Sequence, residues 1–354
     1  MAISISHVSN KLLKPHIWKI RNVYYGVTNF SFSQFRLEKK YTSLSTLKIE
    51  CLKNRSLIQL SGPDTSAYLQ GLITNDIGHF LHRSHSCMFA MFLNQQGCVL
   101  YDTILYKISS SPSEEFLLEC DTTVVSELIR HLQLYKVRKK VEILPVSDKM
   151  IWSAFSPLPW DSLDVSPTML CSDQLAKNLK ATMILEDPRH VGLGYRIVLP
   201  ANSPPKLTSE KEIEDSYEEL RYRLGIGEGI ADHPPGKCFP LECNLDYLHG
   251  ISFHKGCYIG QELTARIHHT GVVRKRLMPI RLEVVEKEIP ENCIIHNDKN
   301  ENMGRFRKGK GRYGLALLRI AESLAAKYLV LKDLNIKLET RKPFWWPIEA
   351  AKSH

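Results

Sequence analysis

The chain has 354 residues, 43% hydrophobic and 24% charged, proportions that predict a globular protein of two or three domains with a real core. No run approaches 18 consecutive apolar residues and no lipidation motif is present, so neither a transmembrane helix nor a lipid anchor is expected and the protein reads as soluble. The net charge of +9 is concentrated in residues 1–40, where seven basic residues face one acid, leaving the remainder too nearly balanced to argue for nucleic-acid binding.

That basic, Ser-rich, acid-poor start, taken as residues 1–45, resembles a mitochondrial transit peptide; a plain disordered basic tail is the alternative. The nine cysteines are odd in number and form no Cys-x-x-Cys. They predict reduced thiols in a cytosolic or matrix compartment, where the Asn29 and Asn54 sequons carry no meaning.

Regular structure is predicted from about residue 46. Residues 57–60 read as a strand, and Ser61-Gly62-Pro63-Asp64 starts a helix that runs through Leu72. Two aromatic-rich apolar runs, 87–93 and 98–108, flank Asn94-Gln95-Gln96-Gly97 and predict a hairpin. A strand over 116–120 follows, then Asp121 caps a helix whose Val124, Val125, Leu128, Ile129 and Leu132 recur at helical spacing, and a strand covers 141–146. This β-α-β-β then β-α-β order predicts ferredoxin-like α+β construction. Residues 156–171 read as a surface connection, and 183–185 and 195–199 as strands. Residues 209–224 read as a solvated helix stopped at Gly225, so the Gly-Ile-Gly-Glu-Gly run at 225–229 is a helix stop and not a phosphate loop. Alternation over 263–283 predicts a strand hairpin turning at His268-His269-Thr270-Gly271. A small all-β domain is expected from about residue 275, with 304–312 as a basic turn.

The candidate chemistry centres on residues 255–262, Lys-Gly-Cys-Tyr-Ile-Gly-Gln-Glu. The Lys255 ammonium next to Cys257 favours the thiolate, which is both the nucleophile and the metal-ligating form, and Gly256 and Gly260 keep the sulfur open. No other cysteine stands at metal-site spacing from Cys257, so a cluster held by it must be shared with another protein. Cys238 and Cys243 read as filler thiols, His254 as an unproven partner for a nucleophilic pair, and His268 and His269 as turn residues. Glu262 and Arg266, four apart, can brace the loop. Asp102 is an acid on an apolar strand, either facing outward, the favoured reading, or kept for a function; Glu242 raises the same question. Phe306 and Tyr313 interleave the basic turn as in an RNA-binding patch, although a solvated turn accounts for it better.

Taken with Pro240-Leu-Glu-Cys-Asn-Leu upstream and Arg274-Lys-Arg276 downstream, the octapeptide resembles the signature of the YgfZ-type proteins related to the glycine-cleavage aminomethyltransferase. Further matches are Gly62-Pro63-Asp64 through Asn75-Asp76, Asn94-Gln-Gln-Gly97 through Asp102, Gly304-Arg-Phe with Gly314-Leu-Ala, and Trp345-Trp346-Pro347, so the resemblance covers about 46–348. Within the family it is to the mitochondrial members that assemble iron–sulfur clusters. It implies a GcvT-like α+β fold, ferredoxin-like domains around a central channel with a C-terminal β-barrel. The implied divisions are 46–225 for the folate-binding-type region, 226–274 for linker and signature loop, and 275–354 for the barrel. It further implies a matrix location and work with an A-type scaffold in maturing [4Fe-4S] proteins. Cys257 would ligate a shared cluster, and Lys255, Gly256, Tyr258, Gly260, Gln261, Glu262, Arg266, Glu242, Asn75 and Asp76 would form the binding site. In the aminomethyltransferases an acid matching Asp102 aids catalysis and a Glu near Glu242 contacts folate. Those enzymes lack the Lys-Gly-Cys-Tyr signature, so a tetrahydrofolate-dependent transferase is the alternative reading.

Overall fold

The computed structural model describes residues 47–82, 86–108, 114–161, 179, 181–205, 216–284 and 289–347. The segment expected to be a transit peptide, most of 156–171 and the start of the 209–224 stretch lie outside the described residues.

The first sheet is five-stranded and antiparallel. It contains β2 (Arg55–Ser61), β3 (Cys87–Leu93), β4 (Val99–Lys107), β5 (Glu115–Asp121) and β6 (Glu142–Val146), in the order β3-β4-β5-β2-β6. Its apolar runs are continuous because both faces are covered. Along β3, Phe89, Met91 and Leu93 enter one core while Met88, Ala90 and Phe92 enter another. Helices Thr65–Gln70 and Val125–Lys136 close the second core, burying Tyr68, Leu69, Leu128 and Leu132. Asp121 caps as expected: its carboxylate accepts from the Thr123 N–H at 2.9 Å, starting a single 3₁₀ turn that leads into the helix.

The second sheet joins β1 (Lys48–Cys51), β7 (Lys149–Phe155), β8 (Met183–Glu186) and β9 (Tyr195–Pro200) in the order β1-β7-β9-β8. Between the sheets lies a buried ion-pair network. Arg55 bridges Asp102 and Glu119 at 3.2 and 2.9 Å, Arg189 meets Asp187 and Glu228 at 2.7 and 2.8 Å, and Arg196 reaches Asp187, Glu119 and Glu228. Arg221 holds Asp232 at 2.7 Å. The expectation that Asp102 faces outward is therefore corrected. It is 2% exposed, because β4 is apolar on both faces and offers no solvent side.

The helix predicted to end at Gly225 does so. It spans Tyr217–Leu224, opens on a Ser216/Glu219 capping box, and closes on Gly225 in the left-handed conformation. It is not solvated, however: Arg221 and Arg223 are buried along with Tyr217, Leu220, Tyr222 and Leu224, their cations stacked on the Tyr222 and Tyr313 rings. The glycine run beyond it serves carboxylates. The Gly229 N–H donates to Asp102 at 3.0 Å and the Ile230 N–H to Asp121 at 3.2 Å.

The C-terminal part is a closed barrel of β10 (Lys275–Leu282), β11 (Ile294–Asn297), β12 (Asn302–Lys310), β13 (Tyr313–Arg319), β14 (Leu329–Leu331) and β15 (Ile336–Thr340), in the order β10-β13-β12-β11-β14-β15. Most of the basic stretch 304–312 is strand β12, with the turn confined to its end. Phe306 points into the barrel core and Tyr313 stacks on Trp160, so the aromatics an RNA surface would need are spent on packing. The hairpin expected over 263–283 is also corrected: Gln261–Thr270 is an α-helix, and only β10 beyond it is extended.

Candidate functional site

The octapeptide is a loop clamped at both ends. At its start the Lys255 ammonium donates to the Ile73 and Asn75 carbonyls at 2.7 and 2.6 Å and lies 5.0 Å from the centre of the Tyr258 ring. Burial pushes this lysine down to about 8, against the pull of the Asp76 carboxylate. The cation that the sequence suggests for favouring the Cys257 thiolate is thus directed at backbone carbonyls, and its clear role is to anchor the loop. In the middle, the Ile259 N–H donates to the Gly71 carbonyl at 3.1 Å, and the Tyr258 N–H donates to the Gln261 side-chain oxygen at 3.1 Å.

The receiving segment, 71–76, is itself fixed. Thr74 donates to the Gly250 carbonyl at 2.7 Å and accepts from the Met91 N–H, while the Asn75 amide bridges the Phe89 and His249 carbonyls at 2.8 Å each. Burial would raise the Asp76 carboxyl. Hydrogen bonds from the Gly78 N–H and Gln70, with the nearby His79 and Lys255 charges, hold it below its ordinary range.

At the loop's end Gly260 stands at φ +80°, and a Cβ there would meet the Asn94 carbonyl oxygen at 2.3 Å and the Leu93 Cβ at 2.8 Å. Gly97, at φ +82° in the β3–β4 turn, faces it. Gly256 differs, because a Cβ there meets nothing within 4 Å. Gly260→Ala is therefore expected to lower stability by about 1–3 kcal/mol and Gly256→Ala by under about 0.5 kcal/mol, a contrast that denaturant titration measures.

Between these anchors Cys257 is exposed, whereas the other seven described cysteines are buried or half-buried. The helix Gln261–Thr270 starts three residues past Tyr258 and carries Glu262 and Arg266 one turn apart on its exposed face. Beside it Phe253 stacks flat on His268, with centroids 3.5 Å apart, and His269 stands edge-on to both. Cys257 is thus exposed on a loop held by hydrogen bonds through Lys255, Tyr258 and Ile259, and the segment before the loop and the helix after it carry a partly exposed aromatic and imidazole cluster.

A separate cavity of about 770 Å³ opens between β3, β8 and residues 246–251 and is lined by Asn75, Phe89, Asp187, Arg189, His190 and His249 among others. Burial pushes His190 down to about 4, so its imidazole is neutral at pH 7.

Residues 274–348 match the family described as CAF17, C-terminal beta-barrel domain. Over 314 residues the chain is 37% identical to the mitochondrial iron-sulfur cluster assembly factor IBA57 of Mus musculus, covering 84% of this chain and 85% of that one. The Homo sapiens protein of the same name is also 37% identical, over 84% of each. The chain belongs to the IBA57 family of mitochondrial iron–sulfur cluster assembly factors. Among solved structures it is similar to glycine cleavage system aminomethyltransferase T from Bartonella henselae, with a TM-score of 0.60 and 15% identity over 84% of this chain and 86% of that one. That likeness shows a shared GcvT-like fold.

Within this IBA57-family chain the expected site residues fall into three groups. Lys255, Tyr258, Gly260, Gln261, Asn75 and Asp76 come together around the Cys257 loop. Asp102 stands apart in the ion-pair network, with one oxygen taken by Arg55 and the other by the Gly229 N–H. Burial alone would raise its carboxyl, but Arg55, helped by the Gly229 N–H, holds it below the ordinary range. Glu242 lines another cavity, of about 230 Å³, with Phe239, Leu263, Ile267 and Lys275, and burial raises its carboxyl. The larger cavity has the volume of a small-molecule site. Neither Asp102 nor Glu242 is among its lining residues, and no transfer step is assigned to them. The Phe253–His268 stack and the Thr74 brace escape sequence reasoning, since each joins positions that only the fold brings together.

Proposed function

We propose that this chain acts in the mitochondrial matrix with an A-type scaffold in maturing [4Fe-4S] proteins, and that Cys257 gives one ligand to a cluster whose other ligands the scaffold supplies. The cluster is cargo. The Cys257 thiol loses its proton to solvent and the thiolate bonds one iron, displacing whatever ligand that iron carried. The observation that carries this reading is that, among the described residues, one cysteine alone is exposed, on a loop anchored at both ends and outside both cavities described above. A lone sulfur needs companions, and an exposed one leaves room for a partner to bring them. The expected result of anaerobic mixing with a cluster-loaded A-type scaffold is a heteromeric complex with altered visible absorption and circular dichroism. An unchanged scaffold spectrum and mass would overturn it.

The cavity of about 770 Å³ supports a second reading, in which tetrahydrofolate binds without being turned over. Calorimetry with tetrahydrofolate tests the binding. Aminomethyl transfer that is lost in Asp102→Asn, with the variant still folded, would instead establish the transferase.

A further inference from the structure

We infer that His233, Cys238 and Cys243 form a buried binding site for a thiophilic divalent cation of the zinc class. One ring nitrogen and the two sulfurs lie within 4.8 Å of one another. Around a tetrahedral zinc, such atoms stand about 3.3–3.9 Å apart, so the side chains need to close by only about 1 Å. All three residues are buried, at 2%, 3% and 4% exposure.

The second observation is His233 itself. Among the described residues neither ring nitrogen meets strict hydrogen-bond geometry, and the Gly227 backbone, which lies against the ring, can engage only one of them. A Cβ at Gly227 would meet the ring Cε1 at 2.5 Å and Nε2 at 2.8 Å, so the imidazole is seated against a position that only glycine fits. A buried imidazole with an unused nitrogen forfeits bonding that interiors seldom forgo, and a cation beside the two sulfurs would use it.

The charge balance favours a divalent ion. Two thiolates and a neutral imidazole around a 2+ cation carry no net charge, which suits a site excluded from water. Sulfur and imidazole donors select zinc over oxygen-seeking calcium or magnesium. The Asp102 and Asp232 carboxylates act on the ring from nearby, where they complement a metal-bound imidazole.

The ligands are held in place before any ion arrives. Pro234 and Pro235 lead into Gly236, whose N–H donates to the Val99 carbonyl at 2.7 Å, and the Val99 N–H donates back to the Cys238 carbonyl at 2.9 Å. Cys243 is fixed by its N–H, which donates to the Phe239 and Pro240 carbonyls at 3.1 Å each. The Cys238 thiol donates to the Pro234 carbonyl at 3.6 Å, and its proton leaves when the ion binds.

The test uses the full chain as Cys257→Ser, which removes the exposed thiol as a competing ligand and makes the outcome independent of cluster sharing. Anaerobic titration of the reduced protein with Co²⁺ is expected to give one equivalent with sulfur-to-metal charge-transfer bands and tetrahedral d–d intensity, displaced by Zn²⁺. Adding Cys238→Ser and Cys243→Ser is expected to weaken binding by more than about 100-fold. Should that variant fail to fold, native mass spectrometry of the Cys257→Ser chain with equimolar Zn²⁺ decides, a single bound ion supporting the site and a metal-free chain overturning it. Unchanged Co²⁺ bands in a folded Cys238→Ser, Cys243→Ser variant, or a Cys238–Cys243 disulfide in the anaerobically purified chain, would equally overturn it.

Discussion

Cys257→Ser is expected to abolish the shared-cluster spectrum with an A-type scaffold while leaving the melting temperature of the isolated chain within about 1 °C of the parent. The two halves of this result have separate causes. A serine hydroxyl is a poor donor to iron at neutral pH, because the thiolate and not the neutral group is the effective ligand. The residue is exposed, and the neighbouring anchors at Lys255 and Gly260 do not involve its sulfur, so the change falls in the range of ordinary surface substitutions, about 0.5 kcal/mol or less. Cys98→Ser is the control, since this half-buried thiol lies in the β3–β4 turn. Retention of the full cluster signal by Cys257→Ser would rule out ligation through this sulfur.

The second large effect is on the fold. Arg196→Met is expected to destabilise by about 3–5 kcal/mol in denaturant titration, a sizeable part of the stability of a typical domain. The methionine nearly fills the space but leaves Glu228, Asp187 and Glu119 without the guanidinium they share, and removes a cation 5.0 Å from the centre of the Tyr217 ring. A loss below about 1 kcal/mol would mean that these carboxylates are protonated in the parent.

The network also sets the response to acid. Despite burial, Asp102, Asp187 and Glu228 are held below the ordinary carboxylate range by the surrounding arginines. Their contribution is fully present above about pH 4.3, the unfolded value, and is lost as pH falls through the depressed folded values, so a melting series should steepen downward below that point. Asp232 works the other way, since burial raises it in spite of Arg221 and its protonation favours the folded chain.

Several elements were legible because their signals are local. The β3–β4 hairpin follows from two apolar runs around Asn94–Gly97, and the Asp121 cap and Gly225 stop need only their own neighbours. The Gln261–Thr270 helix was harder, because Leu263, Ala265 and Ile267 also alternate as they would on a strand, and ten residues leave few turns to break the tie. The setting of Asp102 is not visible in its own strand, because its partner Arg55 lies 47 positions away and no local pattern pairs them. The Ser209–Leu224 stretch looks solvated until the tyrosine rings under its arginines are in place. Of the candidate site, the thiol between two glycines was visible in the octapeptide, but the reason for Lys255 was not. Its acceptors are the Ile73 and Asn75 carbonyls, about half a chain away, and the two glycines turn out to do different things.

The loop anchored between Lys255 and Gly260 also bears on how fast and how tightly a partner can engage it. A flexible loop would have to be ordered on binding, at about 0.5–1.5 kcal/mol for each side chain immobilised, and would slow docking through the search for a competent shape. Here folding itself performs that ordering, through hydrogen bonds to residues 71–75 and close packing against the β3–β4 turn. Complex formation at this surface then becomes the meeting of a preshaped face with a partner that does the adjusting, and affinity should respond to changes in the contact surface more than to changes that stiffen the loop further.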